Sequence, residues 1–164
     1  AKSTFFYPAS GILGELGYLS IGVGYSIPFE MFAAEWIDSD RFAKALNRLS
    51  LPAVIFRPNH ARPSYSIGQG KKLHGGQLHI VDPAAAALSE VQFYVMQVIA
   101  ELYPDRAVFA HADSSRFRML DQVAGSGYVR KKFSERNRFE DIQSYWRKDA
   151  ARFRTVAEKY YLYE

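Results

Sequence analysis

Between Asp82-Pro83 and Pro104 lies the stretch that most constrains this chain: Ala87, Leu88, Val91, Val95, Val98, Ile99 and Leu102 recur three and four residues apart. Residues so spaced fall on one stripe of a helix, and a stripe this broad has to be covered from several sides. Aspartate ahead of proline is a helix opening, the carboxylate capping and the ring sitting in the first turn. Pro104 disfavours helix in the residue before it. The pattern predicts a central core helix over 84–103. With 164 residues, 48% of them hydrophobic, the chain has enough apolar material to surround that helix in one globular domain.

The covering elements follow from the remaining patterns. Asp38 or Ser39 caps a helix carrying Phe42, Ala45, Leu46 and Leu49, which stops before Pro52. Ala53-Val54-Ile55-Phe56 is a compact β-branched and aromatic run, a strand ending at Arg57-Pro58. Gly75 to Val81 alternates, so Gln77, His79 and Val81 share one face while Leu78 and Ile80 share the other. Phe5-Phe6-Tyr7 is strand-like, and Pro8 with Ser10-Gly11 supplies a turn. Past Val108-Phe109, helical stretches are expected at Ser115 to Ala124, at the basic and surface-lying Tyr128 to Glu135, and from Phe139 to about Lys159. That last helix places Ile142, Trp146, Phe153 and Val156 on one side, and the aromatic end Tyr160-Tyr161-Leu162-Tyr163 is expected to dock as a strap. The sum is an α+β domain: a small mixed sheet of segments 17–23, 53–57 and 76–81 against helices 84–103 and 139–159.

One stretch is hard to explain by packing alone. In Leu19-Ser20-Ile21-Gly22-Val23-Gly24-Tyr25 two glycines alternate with β-branched residues beside Ser and Tyr. Glycine lets other groups approach the backbone closely, so such a turn exposes N–H groups to a ligand, or else marks a kinked strand. The connection 59–70, with His60, Arg62, Tyr65 and Ser66 between turn residues, is a second place where a site is built. Together with the strand face these give the candidate ligand-binding residues Ser20, Gly22, Gly24, Tyr25, Tyr65, Gln77 and His79. A Gln and a neutral His on one sheet face can hydrogen-bond a sugar or a carboxylate.

Other chemistries are excluded or left unsupported. The chain has no cysteine, so it has no disulfide, thiolate nucleophile or zinc–thiolate site. His74 and His79 have no recognised metal-ligand spacing, and neither a metal nor a cofactor is expected. There is no Gly-x-Ser-x-Gly turn, no phosphate loop and no His-Glu-x-x-His. Glu15, Glu30 and Glu35 exist, but a glycosidase needs two carboxyl groups facing across a sugar. Glu30 and Glu35 are therefore read as structural acceptors, and the isolated chain is not expected to be an enzyme. A formal charge of +4 is spread along helix faces among Asp and Glu, which argues against nucleic acid. No stretch is apolar for long enough to span a membrane, and the first residues lack a signal-peptide pattern.

A set of motifs in fixed order covers nearly the whole chain. They are Pro28-Phe29-Glu30, Trp36-Ile37-Asp38, Phe56-Arg57-Pro58, Gly75 with Gln77, His79 and Asp82, Glu101-Leu102-Tyr103-Pro104, Trp146, and Phe153-Arg154 before a terminal Tyr-Leu-Tyr. Their order and spacing resemble the C-terminal domain of the NamZ family. That resemblance implies an exo-acting β-N-acetylmuramidase of peptidoglycan, secreted or periplasmic. It also implies a preceding Rossmann-like domain, not included in this chain, that carries the catalytic glutamates. This domain would then complete the cleft for a muropeptide or amino-sugar ligand. The family's Ser-Glu-Gly-Arg-Gly-Thr-Thr-Arg is here Ser20 to Ile27, with Ile21, Val23, Tyr25 and Ile27 replacing Glu, Arg, Thr and Arg. Isoleucine cannot make the forked hydrogen bonds of arginine, so the chain resembles a divergent branch. The alternative is a non-catalytic interaction domain with an apolar interface around Phe5, Phe6, Ile21 and Val23.

Overall fold

The computed structural model describes residues 2–162. Its strands are β1 (Met31–Ala34), β2 (Val54–Ala61) and β3 (Leu73–Ile80), and its α-helices run in chain order from α1 (Ser3–Glu15) and α2 (Ser39–Arg48) through α3 (Leu88–Leu102) and α4 (Val108–His111). They continue with α5 (Phe117–Val123), α6 (Gly127–Arg136), α7 (Gln143–Arg147) and α8 (Ala150–Glu158). The α+β class stands. The sheet has the order β1-β3-β2 and is antiparallel throughout rather than mixed.

The central helix is where the apolar stripe puts it, with Val91, Phe93, Val95, Met96, Val98 and Ile99 buried. It starts later than the sequence suggests. Asp82 Oδ1 accepts from Ala84 N at 2.9 Å, closing a short turn, and the helix begins at Leu88. Around it pack α1, α2 and a cluster of rings from the C-terminal half. Phe133 and Phe139 lie 5.6 and 5.7 Å from Phe93, and Trp146 meets the same ring edge-on at 4.9 Å. The basic segment expected at the surface is thus half core, since Val129 and Phe133 of α6 are buried.

Phe5-Phe6-Tyr7 is not a strand: it lies inside α1, with Pro8 in the helix. An interior proline removes a ladder donor. Here burial outweighs that loss, because Phe6, Ala9, Leu13 and Leu16 form a helical stripe in the core. Gln92 of α3 ties the two helices together. Its Nε2 donates to Pro8 O at 3.0 Å and its Oε1 accepts from Leu13 N at 3.1 Å.

Segment 17–23 is not a strand either, apart from one bridge, Ser20 to Ala33; the third strand is Met31–Ala34. Gly22 and Gly24 take φ of +89° and +88°, which curls the chain into successive turns. Tyr25 N donates to Gly22 O and Phe29 N to Ile21 O.

β2 runs past Arg57-Pro58 to Ala61, so the connection after it begins only at Arg62. Proline is tolerated there because β2 is an edge strand and the missing N–H faces away from β3. The same outer edge is closed by α2: Asn47 Nδ2 donates to Phe56 O at 2.7 Å and Asn47 Oδ1 accepts from Phe56 N at 2.8 Å. Asp38 caps α2 as expected, accepting from Arg41 N at 2.9 Å.

The long helix expected from Phe139 is broken into a 3₁₀ turn, α7 and α8. Ile142 is buried and Trp146 half-buried, but Phe153 is 70% exposed and α8 buries nothing. The aromatic strap does not dock over Tyr160 to Leu162, Leu162 being 87% exposed. Tyr163 lies outside the described residues. No helix of the described residues is long and apolar enough to cross a membrane.

Candidate functional site

One sheet face is covered by α2 and α3 through Val54, Phe56 and Leu78, which belong to the main core. Strict alternation then sends Ile55, Arg57, Gln77 and His79 to the other face. That face has its own small cluster at one end, Met31, Ala33, Ala61 and Leu73 with Ile27 against them. At the other end it is uncovered: Ile55, directly opposite His79, is 53% exposed, and Val81 is exposed beside it.

Between the two ends lies a polar row. Gln77 and Arg57 sit side by side on β3 and β2, with the apolar Met31 of β1 on the far side of Gln77. Arg57 Nε donates to Gln77 Oε1 at 2.8 Å, and Gln77 Nε2 donates to Glu30 Oε2 at 3.1 Å. Gln77 is 5% exposed and its amide is held at both ends, so it serves as a rigid link between an acid and a cation. Glu30 is anchored through its own backbone, Leu78 N donating to its carbonyl at 2.7 Å. It is the structural acceptor that its sequence position suggests.

His79 lies next in line. Its Nε2 is buried and has no hydrogen-bond partner within the described residues, the sole such side-chain atom among them. Burial holds the imidazole below the ordinary histidine range, the Arg57 charge adds to this, and Glu30 opposes it. A neutral ring with an unmatched buried nitrogen is a hydrogen-bonding group awaiting a partner.

The other sequence candidates gather elsewhere, around the glycine turns. Ser20 is buried, its Oγ accepting from Gly22 N at 3.4 Å. Gly24 O receives Ser64 N at 2.8 Å and Ser64 Oγ at 3.0 Å, which brings Tyr25 and Tyr65 onto neighbouring exposed loops. A cleft of about 180 Å³ between α1 and this loop is lined by Tyr7, Gly11, Ser20, Ile21, Phe29 and Ser66. It is smaller than a pocket that encloses a drug-sized ligand. The glycine-turn oxygens and amides named above are used within the fold. Phe29 and Glu30 connect the two groups, because the loop that begins at Gly22 ends on the residue that holds Gln77.

Two groups were missed in the sequence. Arg57 reads there as a strand end, since Pro58 follows; only the edge position of β2 makes it a face residue. His60 and His74 lie opposite each other across β2 and β3 with Nδ1 atoms 2.8 Å apart, one donating to the other. Strand register would have found that pair. No three His, Cys, Asp or Glu of the described residues come together as a metal site. The apolar interface sketched around Phe5, Phe6, Ile21 and Val23 is not continuous, because Phe6 and Ile21 are buried.

Comparison with known proteins places this geometry in context. A family model described as exo-beta-N-acetylmuramidase NamZ, C-terminal, matches residues 5–163. The peptidoglycan beta-N-acetylmuramidase NamZ of Bacillus subtilis is 33% identical over 162 residues, 99% of this chain but 38% of that protein. A crystal structure of a DUF1343 family protein from Bacteroides fragilis superposes with a TM-score of 0.95 at 61% identity, covering 99% of this chain and 42% of that one. The chain thus spans well under half the length of either relative.

Proposed function

Because this chain belongs to the NamZ C-terminal family, we propose that it is the cleft-forming domain of a peptidoglycan-acting glycoside hydrolase, completing an amino-sugar site whose acid and base lie elsewhere. The observation that carries this reading is the uncovered sheet face: Arg57, Gln77 and His79 point from rigid strands, with an unmatched buried nitrogen at one end and the exposed apolar Ile55 and Val81 alongside. Side chains held on strands keep their geometry better than side chains on loops. A pyranose presents hydroxyl and acetamido groups beside apolar C–H patches, and this face offers both kinds of partner. Glu30 accepts from Gln77 and is read as a structural acceptor. A preceding Rossmann-like domain, as the resemblance implies, would bring the carboxylates across the cleft.

The test is a titration of the isotope-labelled chain with N-acetylmuramic acid and N-acetylglucosamine, followed by amide and imidazole shifts. Shifts confined to 55–57, 77–81 and the 25 and 65 loops support the reading. A flat response from the sheet face to both sugars overturns it.

A further inference from the structure

We infer that Arg57 is the residue of this face that reads a carboxylate on the ligand, an inference that rests on the amino-sugar reading above. Arg57 is an exposed residue, yet its guanidinium is not loose. The Nε–H is tied to Gln77 Oε1 at 2.8 Å, and Gln77 is itself buried and tied to Glu30. Arginine on a flexible stem loses rotamer freedom when it binds; one already pinned at Nε has lost part of that freedom beforehand. What remains unspent is the outer pair of N–H groups. Among the described residues no carboxylate lies within ion-pair distance of Arg57, whereas Arg130, Arg136, Arg138 and Arg147 are spent on Asp121, Asp141, Glu101 and Glu90. The planar fork matches a carboxylate with two parallel hydrogen bonds.

Lys2 adds a second positive charge near His79, while the Glu30 carboxylate accepts from Gln77. The curled loop from Gly17 to Glu30 holds no lysine or arginine, so it offers no competing cation. Of the two peptidoglycan amino sugars, the muramic type is the one that carries a carboxylate, on a lactyl ether. When that group is capped as a peptide amide, the free carboxylate moves to the peptide end. The two placements share one chemistry and differ in reach.

Three ligands separate these cases: N-acetylmuramic acid, with a free lactyl carboxylate; muramyl dipeptide, whose carboxylate sits on the peptide; and N-acetylglucosamine, which has none. Dissociation constants are read by titration for the chain and for Arg57→Ala and Arg57→Lys, each checked for an unchanged unfolding midpoint. The expected result is that one carboxylate ligand binds the unaltered chain roughly tenfold more tightly than N-acetylglucosamine. Arg57→Ala should erase that ratio, weakening the carboxylate ligand by more than it weakens N-acetylglucosamine, and Arg57→Lys, which keeps the charge but not the fork, should retain part of it. Which of the two carboxylate ligands wins identifies the source. Equal binding of all three ligands, or a preference that survives Arg57→Ala, overturns the assignment and leaves the amino-sugar reading intact. No binding of any ligand overturns that reading and the assignment together.

Discussion

At the scale of single residues, backbone conformation and one imidazole make the sharpest claims. Gly24 has φ of +88°, and a Cβ placed there would lie 2.1 Å from Tyr65 O. Gly70 has a comparable φ of +71° with nothing within 4 Å. Alanine at either position meets the left-handed strain, on the order of 1 kcal/mol, but only at Gly24 must the backbone of a second loop also move. Gly24→Ala should therefore lower stability by clearly more than Gly70→Ala, and chemical denaturation of the two variants measures the difference. Equal losses would mean that the 64–66 loop yields without cost. His79 gives a pH signature. Burial and Arg57 depress its folded-state pKa, so as the pH falls the unfolded chain takes up the proton first. The stability held above the ordinary histidine value then declines as the pH drops toward the folded value, and levels off beneath it. Unfolding midpoints between about pH 7 and about pH 5 should slope accordingly, and His79→Gln should flatten that part of the profile.

Elements show which physical signals are visible along a sequence and which are not. The α3 stripe, the Asp38 cap and the alternation of β3 were legible because each is local: a period of 3.6, a cap three residues from its partner, a period of 2. The status of Arg57 was not, since it depends on β2 being an edge, and edge position is a property of the assembled sheet. Nor was α1. Proline and two glycines within thirteen residues oppose a helix locally, and the compensation comes from burial of its stripe and from the tie to Gln92, about eighty residues away in sequence. The glycines of the 22–24 turn serve close loop packing, and the polar row that the turn helps to position lies on the sheet. The α1 case yields a prediction. Gln92 is 1% exposed, and replacing it with leucine removes its bonds to Pro8 O and Leu13 N. Each such bond is worth about 0.5–1.5 kcal/mol net. Gln92→Leu should therefore lose about 1–3 kcal/mol despite being apolar in an apolar core, and hydrogen exchange should speed up in α1 ahead of α3. Unchanged stability would show that α1 needs no support from Gln92.

The molecule as a whole divides into a packed body and an appendage. Phe93, Phe133, Phe139 and Ile142 close the body around α3, and Glu90, nearly buried, pairs with both ends of the Arg147 guanidinium to hold α7 on it. Beyond Lys148 nothing described is buried: Phe153, Val156, Tyr160 and Leu162 lie open on α8 and after it. Helices of nine residues are marginal in water without tertiary support, so α8 should be the first part of the fold to open. Phe133→Ala should cost about 3–5 kcal/mol, as deletion of a buried ring does. Phe153→Ala should stay within about 0.5 kcal/mol, as a surface change does. Native-state hydrogen exchange tests the same division without mutation: amides of α3 and β3 should exchange only through global unfolding, and those of α8 through local opening with little denaturant dependence. Strong protection of α8 that fades on dilution would instead mean that its apolar side is covered by a second copy of the chain.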